Sequence, residues 1–282
     1  MRRIVVGSRE SKLAVMECMT VMDHINETVQ DGYAEILTMK PTGDGTPNKM
    51  MYLKELDLAL KLKRVDLAVH SLKDVPIDLA PEVPLVAYSK RDDPRNVLIL
   101  PLGEEKLDAK LPIGAPVPGY VFQLKKLFPK HKIVQTHGNL QTLLKKLDGG
   151  EYGALVLAAA CLKRLGLESR ISRYFTVEEI IPAVGQGIIA VQGRAGEDYD
   201  YLEDYDDPDS RCAALCERAY ARELKDCAST PVCVHAEIEG SKIFLRALYE
   251  DASGYFQTGT QKGSAKDAEK IGRELARKLK KK

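Results

Sequence analysis

Short apolar runs rich in Val and Ile alternate along this chain with segments whose apolar residues repeat at helical spacing. The run at residues 4–6 is followed by a helical pattern over 11–27, and the run at 66–71 is preceded by one over 53–63. Strands and helices in this order build βαβ units around a mostly parallel sheet. The sequence therefore predicts an α/β protein whose sheets are covered by helices.

A second series of the same kind follows the polar segment 90–95, which we interpret as a crossing between domains. A chain of 282 residues is expected to form two or three compact units. Residues 197–209, rich in Asp, Glu and Tyr, are predicted to be a solvated connector. The other predicted strands are 34–39, 83–88, 97–101, 133–134, 154–160, 236–238 and 243–248, and the other helices are 140–147, from 162 onward, 210–224 and 265–282.

Positive and negative side chains nearly cancel, since 42 Lys and Arg face 41 Asp and Glu for a net charge of +1. Such a chain has no global field that would attract nucleic acid or an anionic membrane. No apolar stretch reaches the roughly 20 residues of a membrane span, and the N-terminus lacks an apolar signal core. We expect a cytoplasmic monomer whose partner is a small-molecule substrate.

The six cysteines show no CxxC pair and no zinc-ribbon spacing, so free thiols without a metal are expected. Cys212 and Cys216 lie one helical turn apart and keep a metal site open as the alternative. The cysteines are Cys18, Cys161, Cys212, Cys216, Cys227 and Cys233.

A polar cluster follows the apolar strand at residues 67–69, where the chain reads His70-Ser71-Leu72-Lys73-Asp74. Open α/β sheets bind their ligands at the carboxyl ends of strands, which makes this cluster a candidate site. The alternative from the residues alone is a Lys–Asp turn that merely caps a helix.

The segment VHSLKDVP at residues 69–76 resembles the signature of the porphobilinogen deaminase (hydroxymethylbilane synthase) family. Six further segments resemble the same family in the same order, so the similarity spans nearly the whole chain. They are GSRESKLA at 7–14, LKEL at 53–56, RDDPR at 91–95, LKRLGLESRI at 162–171, PAVGQG at 182–187 and LRAL at 245–248.

This resemblance implies two doubly wound domains similar to periplasmic binding proteins and a small α/β third domain. The first comprises residues 1–88 and 187–206, the second 92–182 and the third 209–282, with a ligand cleft between the first two. The family's enzyme is a transferase of tetrapyrrole (porphyrin and heme) biosynthesis. It removes ammonia from porphobilinogen and joins four units into hydroxymethylbilane, built on a dipyrromethane cofactor that is bound to a third-domain cysteine by a thioether.

The resemblance also implies roles for individual residues. Asp74 matches the carboxylate that faces the pyrrole nitrogens and stabilises the cation left when ammonia departs. Arg9, Lys49, Lys73 and Arg170 match cationic positions that bind the acetate and propionate groups, and Ser11 matches a hydroxyl donor.

The chain departs from the family pattern in the second and third domains. Residues 114–124 read GAPVPGYVFQL where the family has G-T-S-S-L-R-R-x-x-Q-L, and HGNLQTL at 137–143 replaces R-G-N-x-x-T-R. His137 is then the remaining candidate contact there. The cofactor loop reads LKDCASTP at 224–231 instead of L-x-G-G-C-x-V-P, so the ungapped match to the cysteine is Ala228 and we assign the attachment to Cys227.

Two functional hypotheses follow. The first is a divergent hydroxymethylbilane synthase with Asp74 as the catalytic residue and Cys227 as the cofactor attachment. The second is a repurposed family member that binds or processes a smaller pyrrole, or another small ligand, without a covalent cofactor. The lost arginines favour the second hypothesis, because each charge-assisted contact contributes about 1.5–3 kcal/mol to binding.

Overall fold

The computed structural model describes residues 2–40, 49–224, 232–250 and 256–281, except for the side chains of residues 49 and 50. The chain divides into two compact units. Unit 1 comprises Met1–Arg91 and Ile188–Arg211, and unit 2 comprises Asp92–Gly187 and Cys212–Lys282. The predicted α/β class is confirmed. The division into three domains stays a prediction.

The strands and helices are numbered in chain order. The strands are β1 (Arg2–Arg9), β2 (Gly32–Met39), β3 (Leu67–Ser71), β4 (Leu85–Tyr88), β5 (Asn96–Ile99), β6 (Ile113–Ala115), β7 (Ile133–Gln135), β8 (Ala154–Ala158), β9 (Arg173–Tyr174), β10 (Ile189–Gln192), β11 (Cys233–Glu239), β12 (Lys242–Glu250) and β13 (Phe256–Ser264). The α-helices are α1 (Lys12–Thr28), α2 (Lys49–Lys61), α3 (Pro118–Leu127), α4 (Leu140–Asp148), α5 (Ala159–Arg164), α6 (Pro208–Glu223) and α7 (Ala268–Lys280). None of these helices, within the residues described, is long and apolar enough to cross a membrane.

Unit 1 contains a five-stranded sheet in the order β2-β1-β3-β10-β4. β1 runs parallel to β2 and β3, whereas β10 is antiparallel to both of its neighbours. The prediction of a mostly parallel sheet is therefore wrong for half of the pairings. The reason is connectivity, because β10 enters this sheet from a distant part of the chain and not through a local βαβ crossover.

The predicted solvated connector is partly wrong as well. Tyr201 and Leu202 are buried in the core of unit 1, within a 3-10 turn over Asp200–Leu202. Two apolar side chains in an acidic stretch are enough to anchor it, since burying one such side chain stabilises a fold by about 1.5–3 kcal/mol.

Unit 2 contains a five-stranded sheet in the order β7-β6-β8-β5-β9, in which the β6 pairings are parallel and the β5 pairings antiparallel. The strand predicted at 154–160 ends at Ala158, and its last two residues begin α5. A run of buried alanines fits a strand and a buried helix equally well, which explains this error.

A second sheet of unit 2, in the order β11-β12-β13, is antiparallel throughout. The sequence did not indicate β13, because it lacks alternating apolar residues after Phe256 and has Gly259 and Gly263 on the face opposite Phe256. A Cβ at Gly259 would lie 2.7 Å from Leu279, and one at Gly263 would lie 2.6 Å from Ile271. The glycines thus admit the apolar face of α7 directly against the strand.

Helices α6 and α7 approach closely at Gly272, where a Cβ would lie 2.2 Å from the carbonyl oxygen of Cys216 and 2.9 Å from the nitrogen of Tyr220. Both of those atoms are backbone atoms and cannot rotate away. We expect Gly272→Ala to lower the free energy of unfolding by about 2–3 kcal/mol. Urea denaturation measures this loss. Lys270→Ala, at an exposed position of the same helix, serves as the control and should change stability by less than about 0.5 kcal/mol.

Candidate functional site

The candidate site lies at the carboxyl edge of the unit 1 sheet. All five residues of β3 are buried, and the chain then turns at once through a 3-10 turn over Leu72–Asp74. β1 lies parallel to β3, with Val6 opposite Leu67. The carboxyl ends of both strands therefore meet at one edge, as expected for a ligand site in an open sheet.

Arg9 and Asp74 meet at this edge. Nη2 of Arg9 lies 3.3 Å from Oδ2 of Asp74, and each side chain is 14% exposed. This distance exceeds the 2.7–2.9 Å or so of a strong charge-assisted hydrogen bond. Both groups thus keep some exposed surface, so the carboxylate can accept a further hydrogen bond from a ligand.

The other residues predicted for the site in unit 1 are Ser11, Lys73 and Lys49. Ser11 is the N-cap of α1, and its Oγ accepts a hydrogen bond from the backbone nitrogen of Ala14 at 3.3 Å. The hydroxyl proton can still be donated to a ligand. Lys73 is half-buried in the 3-10 turn beside Asp74. Lys49 begins α2, and its side chain lies outside the described residues.

His70 precedes the turn and is buried in β3. Burial lowers its pKa to about 4, and the charge of Arg9 acts in the same direction. The imidazole is therefore neutral at physiological pH, because burial in β3 disfavours its charged form.

We expect this burial to make folding stability depend on pH. Between the unfolded pKa of about 6.5 and the folded value of about 4, the unfolded chain binds more protons at His70, so stability falls as the pH falls. At pH 4 this effect lowers the free energy of unfolding by about 3 kcal/mol relative to neutral pH. Denaturation at a series of pH values measures the slope, which should be shallower in His70→Gln. An equal slope in the two proteins would contradict the assignment.

Two predicted residues lie in unit 2. Arg170 donates hydrogen bonds to both carboxylate oxygens of Asp148, at 2.7 and 3.2 Å, and to the carbonyl oxygen of Leu100 at 3.4 Å. His137 is exposed and lies two residues before Asn139, the N-cap of α4. Arg170 therefore ties the turn at Glu168–Arg170 to the end of α4.

The predicted attachment residue Cys227 and its neighbour Ala228 lie outside the described residues. Within the part of the chain that is described, no three His, Cys, Asp or Glu side chains come together as a metal site requires.

Comparison with known proteins decides the family. A family model described as "Porphobilinogen deaminase, dipyromethane cofactor binding domain" matches residues 4–201, and one described as "Porphobilinogen deaminase, C-terminal domain" matches residues 212–281. The chain belongs to the porphobilinogen deaminase family. The resemblance inferred from the sequence motifs is thereby confirmed.

Several curated relatives are similar over nearly their whole length. The porphobilinogen deaminase of Ruminiclostridium cellulolyticum is 46% identical, with 99% of this chain and 98% of the relative covered. That of Ruminiclostridium josui is 45% identical with the same coverage, and that of Acetivibrio thermocellus is 43% identical, with 97% of each chain covered.

The solved structures to which the chain is similar are more distant. One is the second substrate binding domain of a putative amino acid ABC transporter from Streptococcus pneumoniae, with a TM-score of 0.44, 11% identity, and coverage of 73% of this chain and 90% of that one. Another is a probable amino-acid ABC transporter extracellular-binding protein from Bacillus subtilis, with a TM-score of 0.42, 12% identity, and coverage of 70% and 86%.

The structure accounts for one departure of this porphobilinogen deaminase family member from the family motif. Gly119 and Tyr120 occupy the positions of the two motif arginines, and both are buried at the start of α3. The hydroxyl of Tyr120 donates to Oε1 of Gln186 at 2.5 Å and accepts from the nitrogen of Ala183 at 3.1 Å. Tyr120 thus binds α3 to the segment 183–186 and leaves no cation at either position.

Two buried glutamates of the helices were not predicted from the sequence. Glu17 of α1 accepts a hydrogen bond from Ser71, and Glu217 of α6 accepts from the backbone nitrogens of Gly185 at 2.6 Å and Ala236 at 2.8 Å. Both lie on the apolar faces of amphipathic helices. An acidic residue at such a position is the signal that could have revealed them, since buried charges need partners.

Proposed function

We propose that this chain is a hydroxymethylbilane synthase, a transferase of tetrapyrrole biosynthesis that condenses porphobilinogen units with loss of ammonia. The observation that carries the proposal is the partly exposed Asp74 carboxylate at the carboxyl edge of the unit 1 sheet, beside Arg9. The identity of 43–46% with porphobilinogen deaminases supports the same activity. The family match supports a small-molecule substrate, and we propose a cytoplasmic monomer.

Asp74 has the chemistry that ammonia loss requires. When the amino group leaves porphobilinogen, the remaining pyrrole methylene carries a positive charge that spreads onto the ring nitrogen. A fixed carboxylate that accepts the pyrrole N–H stabilises this charge as it develops, and it orients the ring at the same time. Asp74 is held in a short turn directly after a buried strand, so little reorganisation is needed.

Arg9, Lys73 and Ser11 supply donors for the acidic side chains of the substrate. The guanidinium of Arg9 carries further N–H groups besides the one on Nη2 that faces Asp74, and these can donate to a substrate carboxylate. Lys73 contributes an ammonium group from the same turn as Asp74. Acetate and propionate groups carry negative charges, so fixed positive donors around one carboxylate orient the ring toward Asp74.

The same donor set fits the dipyrromethane named by the family model. Asp74 would accept the pyrrole N–H groups, and Arg9, Lys73 and Ser11 would bind the carboxylates. When bound, this group supplies the pyrrole carbon onto which the product chain is built. We propose Cys227 as the residue that holds it.

A second candidate function is supported by the start of α3. Its first turn contains Pro118, Gly119 and Tyr120, and Val117 provides no side-chain cap. Because Gly119 and Tyr120 replace the two motif arginines, this unit has fewer cations to bind a polycarboxylate chain and would bind a smaller pyrrole better. The second candidate is therefore a family member that binds or processes a monopyrrole without a covalent cofactor.

Adding porphobilinogen to the purified chain distinguishes the two functions. The synthase is expected to release four ammonia molecules for each hydroxymethylbilane formed, with ammonia measured enzymatically and the product by mass spectrometry. Calorimetric binding of porphobilinogen without release of ammonia would contradict the synthase and favour the second candidate.

A further inference from the structure

We propose that two buried polar contacts, one on each face of the unit 1 sheet, position the Lys73–Asp74 turn for the reaction. The first contact joins Glu17 to Ser71, and the second joins His70 to Asp57 through Gln192. This inference rests on the proposed function. The residues named are positioning residues, because they would act on Asp74 through the end of β3 and the turn that follows it.

The first contact lies between α1 and β3. The hydroxyl of Ser71 donates to the carboxylate of Glu17, with distances of 2.6 Å to Oε1 and 2.8 Å to Oε2. Glu17 is 1% exposed and Ser71 is 3% exposed. Removing one partner of such a buried contact leaves a costly polar group behind, so the strand end is held firmly to the helix.

The second contact lies on the opposite face and joins three elements. Nε2 of Gln192 donates to Oδ1 of Asp57 at 3.0 Å and to the carbonyl oxygen of Val83 at 2.7 Å. Both partners are acceptors, so the amide can have only this orientation, and its Oε1 faces Nε2 of His70 at 3.1 Å. His70 therefore carries its proton on Nε2 in the neutral form.

The two contacts hold consecutive residues. His70 and Ser71 are the last residues of β3, and successive side chains of a strand point to opposite faces. The strand end is thus fixed from both sides, one residue before the turn. The nitrogen of Leu72 then donates to the carbonyl oxygen of Ile188 at 2.9 Å, and that of Val75 to Leu72 at 3.0 Å.

Asp74 thus lies three residues after Ser71, and the hydrogen-bonded turn between them leaves the backbone little conformational freedom. Catalytic groups must be held to within about 0.5 Å of the productive geometry, and a displacement of about 1 Å can lower a rate by about 100-fold. Loss of either contact should therefore lower the rate of ammonia release strongly and change the affinity for porphobilinogen only slightly.

Kinetics of four variants test the inference. Ser71→Ala and Glu17→Leu each remove the first contact, and Gln192→Leu removes the second. We expect kcat to fall about 10- to 100-fold in these three, with KM changed by less than about threefold. Glu17→Gln keeps an oxygen that accepts from Ser71, so it should stay within about threefold of wild-type kcat.

Val21→Ala is the matched control, because Val21 is a fully buried apolar residue of the same helix α1. Val21→Ala should lower the free energy of unfolding about as much as Ser71→Ala does, but it should leave kcat unchanged at temperatures where the chain is folded. A kcat loss in Val21→Ala equal to that in Ser71→Ala would overturn the inference. Unchanged kcat in Ser71→Ala and Gln192→Leu would overturn it too.

Hydrogen exchange gives a readout that does not depend on activity. The amides of Leu72 and Val75 should exchange faster in Ser71→Ala than in wild type and remain protected in Val21→Ala. If wild type fails to turn over porphobilinogen, the proposed function is wrong while this test of the contacts still applies. Unchanged protection of both amides in Ser71→Ala would overturn the positioning role directly.

Discussion

Asp74→Asn is expected to lower kcat with porphobilinogen by at least about 100-fold while leaving the fold intact. The amide has the same shape as the carboxylate but no charge, so it cannot stabilise the cation formed as ammonia leaves. Removing one such electrostatic group costs about 100- to 1,000-fold in other enzymes. The fold should survive because Asp74 is partly exposed and lies in a short turn outside the strands.

Ammonia release measures the activity of this variant, and circular dichroism with urea denaturation measures its fold. Asp31→Asn makes the same chemical change on an exposed turn before β2 and should retain wild-type activity. Activity of Asp74→Asn within about threefold of wild type would show that the carboxylate is not needed. The positioning of the turn would then have to serve another residue.

The placement of the candidate site could be predicted from the sequence because it depends on local rules. The apolar runs of β1 and β3 fix two buried strands, and parallel strands bring their carboxyl ends to one edge. Arg9 is the last residue of β1 and Asp74 ends the turn that follows β3, so their contact at 3.3 Å agrees with the pattern. The catalytic role of Asp74 and the binding role of Arg9 stay predictions.

Tertiary contacts that the local pattern does not encode could not be predicted. The buried position of Tyr120 depends on Gln186 and Ala183, more than 60 residues away in the chain. The pairing of Arg170 with Asp148 likewise needs the end of α4 beside the turn. The same holds for Glu17, whose partner Ser71 lies on a separate element.

The reactivity of the cysteines leads to the second large expected effect. A thioether needs an accessible thiol that ionises readily. Burial raises the pKa of Cys18 to about 12 and that of Cys233 to about 12, and it also raises the pKa of Cys216. Cys161 is buried, and the half-buried Cys212 donates to the carbonyl oxygen of Ala265 at 3.4 Å. The five described cysteines are thus poor attachment sites.

We therefore expect the intact mass of the chain, after incubation with porphobilinogen, to exceed the sequence mass by that of two linked pyrrole units. Cys227→Ser should lose the whole addition and all synthase activity, because the product chain would have no anchor.

Cys212→Ser is the control, since it removes the most exposed of the described thiols and should keep both the added mass and the activity. An addition that persists in Cys227→Ser would place the attachment at another residue. Turnover by an unmodified wild-type chain would show that this family member works without a covalent cofactor, in which case the loss of a cysteine at Ala228 is a functional change and not a one-residue shift.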